Sequence, residues 1–461
     1  MSFKKLAPLA ALTLVLTMGV LLLINLRASA ASTLIVDDNS LCAGASYTTI
    51  SAAVAAAAPG DTIKVCAGTY NELVNVNKQL TIQGAQAGVD ARSLTRTGLP
   101  ATESVVQGNA GTTSFYVTAN NVVIDGFTVQ GATDGNVFGA GIVLGAGTSG
   151  AHVVNNIIQN NIAGLFLANA SGGNAAIIQH NLFRNNTQPG PAGGHGIYAD
   201  EFTSGGAVVN VAINENTFTA NTWGIGISNT GANAYSGLSI DGNTFDANSR
   251  GMYFFGIALT TISGNVITNS ERYGIGFFDN VNTTLVECNT IKDNDERGVW
   301  VVGASGTDSG IGINDNNISG NTLAGLEVEA GSYTGILNAV NNWWGSPTGP
   351  TSPANPGGTG DAVVDPDGVV DFTPFYTSAI PDTDGDGRLD PCDADDDNDG
   401  VPDGSDQCAN TPPGSTVTPS GCPVALKKEQ CMNNGWKTLV RANGTSFKNQ
   451  GDCVQYTNTG K

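Results

Sequence analysis

Residues 193–201, GGHGIYADE, place side chains that can exchange protons beside two carboxylates. His195 and Tyr198 are candidate bases, and Arg250, further along the chain, is a candidate partner for a substrate carboxylate. A base combined with a group that neutralises a uronate carboxylate is what a polysaccharide lyase requires. We therefore consider His195, Tyr198 and Arg250 to be candidate catalytic residues.

A short pattern, x-Gly-aliphatic-x, recurs along the chain and carries large side chains on both sides of the glycine. If successive copies stack about 4.8 Å apart, four steps span roughly 19 Å, the length of a short oligosaccharide. Aromatic faces stack on sugar rings, and arginine pairs with carboxylates. Large polar residues would not fit inside the stack, so we expect them at a turn edge open to solvent. The candidate substrate-binding residues are Trp223, Tyr253, Tyr273, Arg297 and Trp300.

Two simpler explanations of these recurring large side chains remain open. Aromatic side chains on neighbouring strands often pack only against each other. Arg250 and Arg297 could pair with nearby acids such as Asp200, Glu201, Glu271 and Asp279. Alternation along a strand would send Asp200 and Glu201 to opposite faces, which argues against a paired-carboxylate hydrolase.

Two tandem segments of 12 residues have the spacing of calcium-binding loops. Each has acids at positions 1, 3, 5, 9 and 12, glycine at position 6 for a sharp turn, and a carbonyl donor at position 7. A disordered acidic linker would not explain the matched register. The candidate Ca²⁺ ligands are Asp382, Asp384, Asp386, Arg388, Asp390 and Asp393 in the first loop, and Asp395, Asp397, Asp399, Val401, Asp403 and Asp406 in the second.

The chain has eight cysteines, and their positions suggest local pairs. Spacing makes three pairs plausible without fixing the connectivity. Cys288 and Cys392 are left over, and we expect Cys288 to be a buried small apolar residue rather than a reactive thiol. The expected pairs are Cys42 with Cys66, Cys408 with Cys422, and Cys431 with Cys453.

An internal repeat of 22 to 35 residues accounts for the middle of the chain. Each copy has the form I-x-x-N-x-[I/F] and short runs of alternating apolar residues, which indicate strands too short to bury a core alone. Stacked copies form a right-handed parallel β-helix, and their asparagines would bond along an internal ladder. The ladder asparagines are Asn156, Asn181, Asn216, Asn243, Asn265, Asn289 and Asn316. An alanine-rich helix over residues 47–58 would cap the open end of the stack.

The segment TISAAVAAAAPGDTIKVCAGTYNELVNVNKQLTIQG, the repeats and the closing Asn-Asn-Trp-Trp-Gly at 341–345 resemble the pectin-lyase-like β-helix proteins of bacteria. The resemblance covers roughly residues 33 to 376. That fold hosts lyases, hydrolases, epimerases and non-enzymatic surface proteins. Gly194-His195-Gly196 matches one short motif of the polygalacturonases, but the other motifs of that family are missing. The tandem loops, followed by Cys408 and Cys422, resemble thrombospondin type 3 repeats, which implies calcium binding in an extracellular setting.

The ends of the chain and its charge complete the prediction. A basic start, an apolar run from Leu6 to Leu26 and Ala-Ser-Ala at 28–30 predict a secretory signal peptide, with a retained anchor as the alternative. The net charge of −21 argues against nucleic acid as a partner. We expect a signal peptide at 1–30, an all-β parallel β-helix with its cap at 31–376, calcium-binding repeats at 377–423 and a disulfide-closed module at 424–461.

We therefore expect an exported, secreted or cell-surface calcium-binding protein with no membrane span after signal cleavage. The leading function is binding of a polysaccharide or cell-surface glycan, or adhesion. The alternatives are a lyase acting on a uronic-acid glycan and a purely structural scaffold. The sequence leaves the glycan and the oligomeric state open.

Overall fold

The computed structural model describes residues 31–40, 42–135, 139–170, 172–190, 192–231, 235–303 and 306–461. The predicted signal peptide at 1–30 lies outside these residues. Three long sheets of parallel strands run through residues 33–371, and successive coils of the chain add strands to them in turn. This arrangement is the predicted parallel β-helix.

The first and largest sheet has 15 strands. The register pairs equivalent repeat positions, for example Ile213 with Ile240 and Ile240 with Ile262. Its strands are Thr33–Val36, Thr62–Val65, Thr81–Gln83, Val123–Asp125, His152–Val154, Ala176–Gln179, Val208–Asn214, Tyr235–Asp241, Ala258–Ser263, Asn282–Glu287, Asp308–Ser309, Gly312–Asn314, Tyr333–Thr334, Leu337–Asn338 and Val370–Asp371.

The second sheet has ten strands and the third has twelve. The second consists of Gly68–Asn71, Ser104–Gln107, Phe127–Gln130, Ile157–Gln159, Leu182–Arg184, Thr217–Thr219, Thr244–Asp246, Val266–Thr268, Thr290–Lys292 and Asn317–Ser319. The third consists of Val74–Val76, Phe115–Val117, Ala140–Leu144, Ala163–Phe166, His195–Ala199, Trp223–Ser228, Arg250–Phe255, Tyr273–Phe278, Arg297–Val302, Ala324–Val328, Pro350–Thr351 and Gly360–Val364.

The core between the sheets is a continuous apolar column with stacked rings. Phe183, Phe218 and Phe245 lie one above another, with centroids 4.9 Å and then 4.6 Å apart and ring planes within 5°. Such a stack is possible because the register repeats the same residue type on each coil. The small helices lie outside this column: α1 (Ile50–Ala56), α2 (Glu201–Ser204) and α3 (Gln450–Thr459), with single 3₁₀ turns at Asn109–Gly111, Asp390–Cys392, Lys428–Cys431 and Gly435–Lys437.

Helix α1 covers the amino-terminal end of the stack, as the sequence predicted. Its amino end is held by Thr49 as the cap and by the Glu72 carboxylate, which accepts from the backbone N–H groups of Ile50 and Ser51. At its carboxyl end the Lys78 Nζ donates to three backbone carbonyls. Both charges complement the ends of the helix dipole.

The predicted asparagine ladder is present and fully buried. Asn243 shows the pattern: its Oδ1 accepts from the Asn216 N–H at 2.8 Å, and its Nδ2 donates to the Asn265 Oδ1 at 3.0 Å and to the Ile213 carbonyl at 2.7 Å. The ladder continues one rung further than expected, to Asn342. A second ladder, which the sequence reading missed, runs through Asn161, Asn186, Asn221 and Asn248, and again through Asn294 and Asn321.

All eight cysteines form disulfides, and the three expected pairs are confirmed. Cys288 is buried, as expected, but it was wrongly left unpaired: it is bonded to Cys392, 104 residues away. Spacing along the chain could not reveal this pair, because it joins the β-helix to the first acidic loop.

Among the described residues, the structure contains no helix long and apolar enough to cross a membrane.

Candidate functional site

The glycine of each x-Gly-aliphatic pattern lies within a strand of the third sheet, as Gly196 does in His195–Ala199. A Cβ at Gly196 would lie 2.6 Å from the Gly224 carbonyl oxygen and 2.8 Å from the ring of Phe218, so only glycine fits. The residue before the glycine and the residue two positions after it both lie outside the apolar core, on the outer side of the sheet. The rings of His195 and Tyr198 are accordingly 4.7 Å apart.

The expected solvent-open edge is wrong for two of these side chains. His195 is 8% exposed and Tyr273 is 1% exposed. Each ring packs closely against a glycine that lies two positions after a pattern glycine, on the next coil for His195 and on the same strand for Tyr273. A Cβ on Gly226 would be 2.5 Å from His195 Cδ2, and one on Gly276 would be 2.7 Å from Tyr273 Cε2. Glycine at these outward positions therefore makes room for a ring rather than leaving a gap.

The outer side of the third sheet carries a continuous set of ring contacts. The His195 and Trp223 rings are stacked, with centroids 5.4 Å apart and planes within 6°. The Arg250 guanidinium lies 4.3 Å from the Trp223 ring centroid on the next coil, and Tyr253 meets Trp223 edge-on at 5.5 Å. Four of the predicted residues are thus brought together around Trp223.

Phe278 links this group to the next two coils and was not predicted. Its ring lies 4.8 Å from Tyr253 and 5.5 Å from Trp300, and Tyr273 lies 5.5 Å from Trp300. Strand alternation could have identified Phe278, since it lies two positions beyond Gly276 and faces the same way. We call the following nine residues the aromatic face: His195, Tyr198, Trp223, Arg250, Tyr253, Tyr273, Phe278, Arg297 and Trp300.

The two arginines of the aromatic face differ in their partners. Arg297 bonds the carboxylates of Glu296 at 2.8 Å and Glu327 at 2.6 Å, so the simpler explanation holds for this residue. In the part of the chain that the structure describes, no carboxylate lies within ion-pair distance of Arg250, which contacts Ser249 Oγ at 3.4 Å and the Tyr273 hydroxyl. The half-buried Arg250 is therefore a cation available to an incoming anion.

The two candidate bases are held in forms that do not accept protons readily. Burial lowers the pKa of His195 to about 4, and its Nδ1 lies 2.9 Å from the Ala192 carbonyl, so the ring is neutral and donates this proton. Burial and a hydrogen bond from its hydroxyl to Asp200 raise the pKa of Tyr198. The site brings His195, Tyr198 and Arg250 together, and its electrostatics suit binding better than proton abstraction.

Asp200 and Glu201 do not alternate along a strand, as the sequence reading assumed. The strand ends at Ala199, and Asp200 caps α2 through a hydrogen bond from the backbone N–H of Thr203. The helix interrupts the rung, so the argument from strand alternation does not apply to these two residues.

An apolar pocket of about 360 Å³ adjoins the aromatic face towards the amino-terminal coils. Tyr116, Val143 and Phe166 form its floor on three successive strands of the third sheet, and Phe202 on α2 forms a wall and is 72% exposed. The sequence reading missed this pocket because its wall comes from a helix that the repeat pattern does not contain.

Each acidic loop brings three carboxylates close together. Ligand oxygens of Asp382, Asp384 and Asp386 lie within 4.8 Å of one another, and Asp395, Asp397 and Asp399 form the same cluster. These are positions 1, 3 and 5 of the two predicted loops. Several of their oxygens are buried without a hydrogen-bond partner: Asp384 Oδ2, Asp395 Oδ1 and Asp399 Oδ2.

Burial and mutual repulsion within the loops raise the pKa of Asp382, Asp386 and Asp399. Clustered carboxylate oxygens that accept no hydrogen bond are suitable ligands for a hard divalent cation such as Ca²⁺. The residues present therefore fit this ion.

The remaining predicted ligands lie elsewhere in the loops. At position 9, Asp390 accepts from the Thr383 N–H and Asp403 accepts from the Asp396 N–H, so each closes its own loop. At position 12, Asp393 accepts from the Asp395 N–H and Asp406 accepts from the Cys408 N–H. At position 7, Arg388 and Val401 donate backbone N–H groups to the position-5 carboxylates. None of these side chains belongs to either cluster of three carboxylates.

The first acidic loop is docked on the β-helix. The Arg388 guanidinium pairs with Asp241 of the first sheet, and the Cys288–Cys392 disulfide lies beside it. Ile380 and Leu389 are buried against Cys288, and the Ile380 backbone exchanges two hydrogen bonds with the Asn317 side chain. The predicted boundary at 376/377 thus separates two segments that share a packed contact.

The comparisons with known proteins agree with this architecture. A family model described as a right handed beta helix region matches residues 191–342, and one described as a protein of unknown function (DUF1565) matches residues 37–252. The chain is a right-handed parallel β-helix. No curated protein matches it significantly.

Solved β-helix structures resemble the chain only distantly. The Dettilon tailspike protein is 13% identical, over 66% of this chain and 62% of its own, with a TM-score of 0.45. The periplasmic alginate epimerase AlgG is 14% identical over 59% of this chain and 71% of its own, with a TM-score of 0.37. The pectate lyase Pel9A is 14% identical over 75% and 80%, with a TM-score of 0.33. Similarity at this level does not assign an activity.

Proposed function

We propose that this chain is an exported calcium-binding protein that binds acidic polysaccharide along the aromatic face. The observation that carries the proposal is the Arg250 guanidinium, which lies on the Trp223 ring and has no carboxylate partner among the described residues. Arg297 already pairs with two carboxylates of the protein, so its charge contributes little to binding an anionic ligand. An unpaired one among aromatic rings selects an anionic group attached to an apolar surface.

The spacing of the aromatic face supports a chain-like ligand. Its rings follow successive coils, from Tyr198 to Trp300, at about 4.8 Å per coil or roughly 19 Å in total. Trp223 and Tyr253 are half-buried, so the edges that remain accessible are fixed by packing. A rigid row of ring edges suits the alternating apolar patches of a sugar chain and loses little entropy on binding.

Binding is favoured over turnover by the protonation states of His195 and Tyr198. A lyase base must take a proton at neutral pH, and a histidine with its pKa lowered to about 4 is a weak acceptor. The Tyr198 hydroxyl already donates to Asp200. The lyase alternative would require both residues to change their partners when substrate binds.

The acidic loops supply the calcium-binding part of the proposal. Asp382, Asp384 and Asp386 would hold one Ca²⁺, and Asp395, Asp397 and Asp399 a second, where the ions would offset the mutual repulsion of the carboxylates. Four disulfides in a chain of 461 residues support export to an oxidising compartment.

The test is calorimetric titration of the mature chain with oligogalacturonate and with the fully methyl-esterified, neutral form. Arg250→Ala should weaken binding of the acid form about 10- to 100-fold, the loss expected for one charge-assisted contact of 1.5–3 kcal/mol. The neutral form should be affected little. Arg92→Ala is the control, because Arg92 already pairs with Asp90 outside the aromatic face.

Unsaturated product absorbing in the ultraviolet during the titration would support the lyase alternative. No binding of any acidic glycan in a broad panel would support a structural scaffold.

A further inference from the structure

The carboxyl-terminal module, residues 424–461, has the opposite charge to the rest of the chain. It carries five lysines and one arginine against Glu429 and Asp452, a net charge of +4, whereas the whole chain has a net charge of −21. Only 19 lysines and arginines occur in 461 residues. Roughly a third of them thus fall in this short module, a charge asymmetry of the kind that marks interaction surfaces.

The lysines of the module carry the positive charge that no carboxylate of the protein neutralises. Arg441 is occupied, since it pairs with Asp452 at 2.7 Å and lies 4.6 Å from the Phe447 ring centroid. The lysines are all exposed, and no carboxylate of the described chain lies within ion-pair distance of any of them. These residues are Lys427, Lys428, Lys437, Lys448 and Lys461.

The module fixes the two short turns that carry Lys428 and Lys437. The buried Cys431–Cys453 disulfide joins the 3₁₀ turn at Lys428–Cys431 to α3, and both contact the turn at Gly435–Lys437. Trp436 is half-buried in this second turn, with the Lys437 Nζ 5.9 Å from its ring centroid. The surface therefore combines cations with one aromatic ring.

We propose that the module binds a linear anionic polysaccharide through its exposed lysines, independently of the aromatic face. A lipid surface fits less well, because α3 contains no lysine or arginine and is mostly polar, so it has no apolar side to insert. Duplex DNA carries a charge about every 1.7 Å. The neighbouring acidic loops, with six clustered aspartates, would repel so dense a polyanion more than a polysaccharide that carries about one charge per sugar.

The experiment measures binding of the full mature chain to immobilised dextran sulfate of low substitution, with about one sulfate per glucose, and to uncharged dextran, which share one backbone. The variants of the module change only its lysines and leave Arg250 and the aromatic face intact, so this test is separate from that of the aromatic face. Lys427, Lys428, Lys437 and Lys448 are replaced together by alanine, and by arginine in a second variant that keeps the charge. Lys64→Ala with Lys292→Ala is the matched control, because both lysines are exposed on the β-helix.

We expect dextran sulfate binding that weakens with salt, and at least a tenfold loss of affinity in the alanine variant but not in the arginine or control variants. Uncharged dextran should not bind. An alanine variant that keeps its disulfide and its affinity would overturn the proposal. Tighter binding to phosphatidylglycerol vesicles or to duplex DNA, at equal anion concentration, would also overturn it.

Discussion

Replacing one asparagine of the internal ladder measures how much this polar column contributes to the fold. Asn243 is 1% exposed, and its amide accepts from the N–H and the side chain of Asn216 and donates to Ile213, Asp241 and Asn265. Asn243→Ala leaves the buried Asn216 N–H without its partner and removes one hydrogen bond from each of the Asn216 and Asn265 amides, which keep their other partners. At about 1–3 kcal/mol for the unsatisfied N–H and about 0.5–1 kcal/mol for each further bond lost, the expected loss in unfolding free energy is about 2–5 kcal/mol.

The assay is urea unfolding of the mature chain, followed by circular dichroism in the presence of Ca²⁺. The control is Asn282→Ala, since Asn282 also lies in a strand of the first sheet but is exposed, and its loss should stay within about 0.5 kcal/mol. Equal stability of the two variants would show that the ladder is not a stabilising element, and the reasoning from its hydrogen bonds would fail.

Three further outcomes concern charge, metal and the long-range disulfide. Burial raises the pKa of Asp308 to about 7 from 3.8, so the folded state loses stability as pH rises through this window; Asp308→Asn should stabilise the chain at pH 8 by up to about 4 kcal/mol and little at pH 4, as measured by urea unfolding. Chelation of Ca²⁺ should lower the melting temperature of residues 377–423 in wild type, and by less in Asp397→Asn, which keeps only the first cluster intact. An identical response of both chains would argue against a metal at the second cluster. Cys392→Ser should let protease cleave the first acidic loop while the β-helix stays intact; unchanged resistance would mean that Arg388 and the apolar contacts hold the loop alone.

The repeat pattern predicted the β-helix because its physical cause is local. Strand alternation, glycine at the bends and one buried asparagine per coil each repeat in the sequence, so the register of the first ladder could be written down residue by residue. The second ladder was missed because its asparagines come five residues after the motif asparagine, beyond the end of the motif, in a stretch that resembles a loop. The Phe183–Phe218–Phe245 stack follows from the same register.

The candidate sites were predictable where they are formed by equivalent positions of successive repeats. They were not predictable where they depend on segments outside the repeats. His195, Trp223 and Arg250 meet because stacking places equivalent positions together. The burial of His195 was missed because it depends on Gly226, on the next coil. A side chain at that position would collide with the His195 ring. The Cys288–Cys392 bond and the Arg388–Asp241 pair join segments far apart in sequence, so no local pattern encodes them.

Hydroxyl-radical footprinting of the mature chain with and without oligogalacturonate tests the central claim most directly, because it locates the ligand. Binding along the aromatic face should protect Trp223 and Tyr253 from oxidation several-fold. Trp343 should not change, since it is also half-buried but lies beside the second sheet. Protection of Trp343 equal to that of Trp223, or binding without protection of either Trp223 or Tyr253, would contradict the proposed binding face.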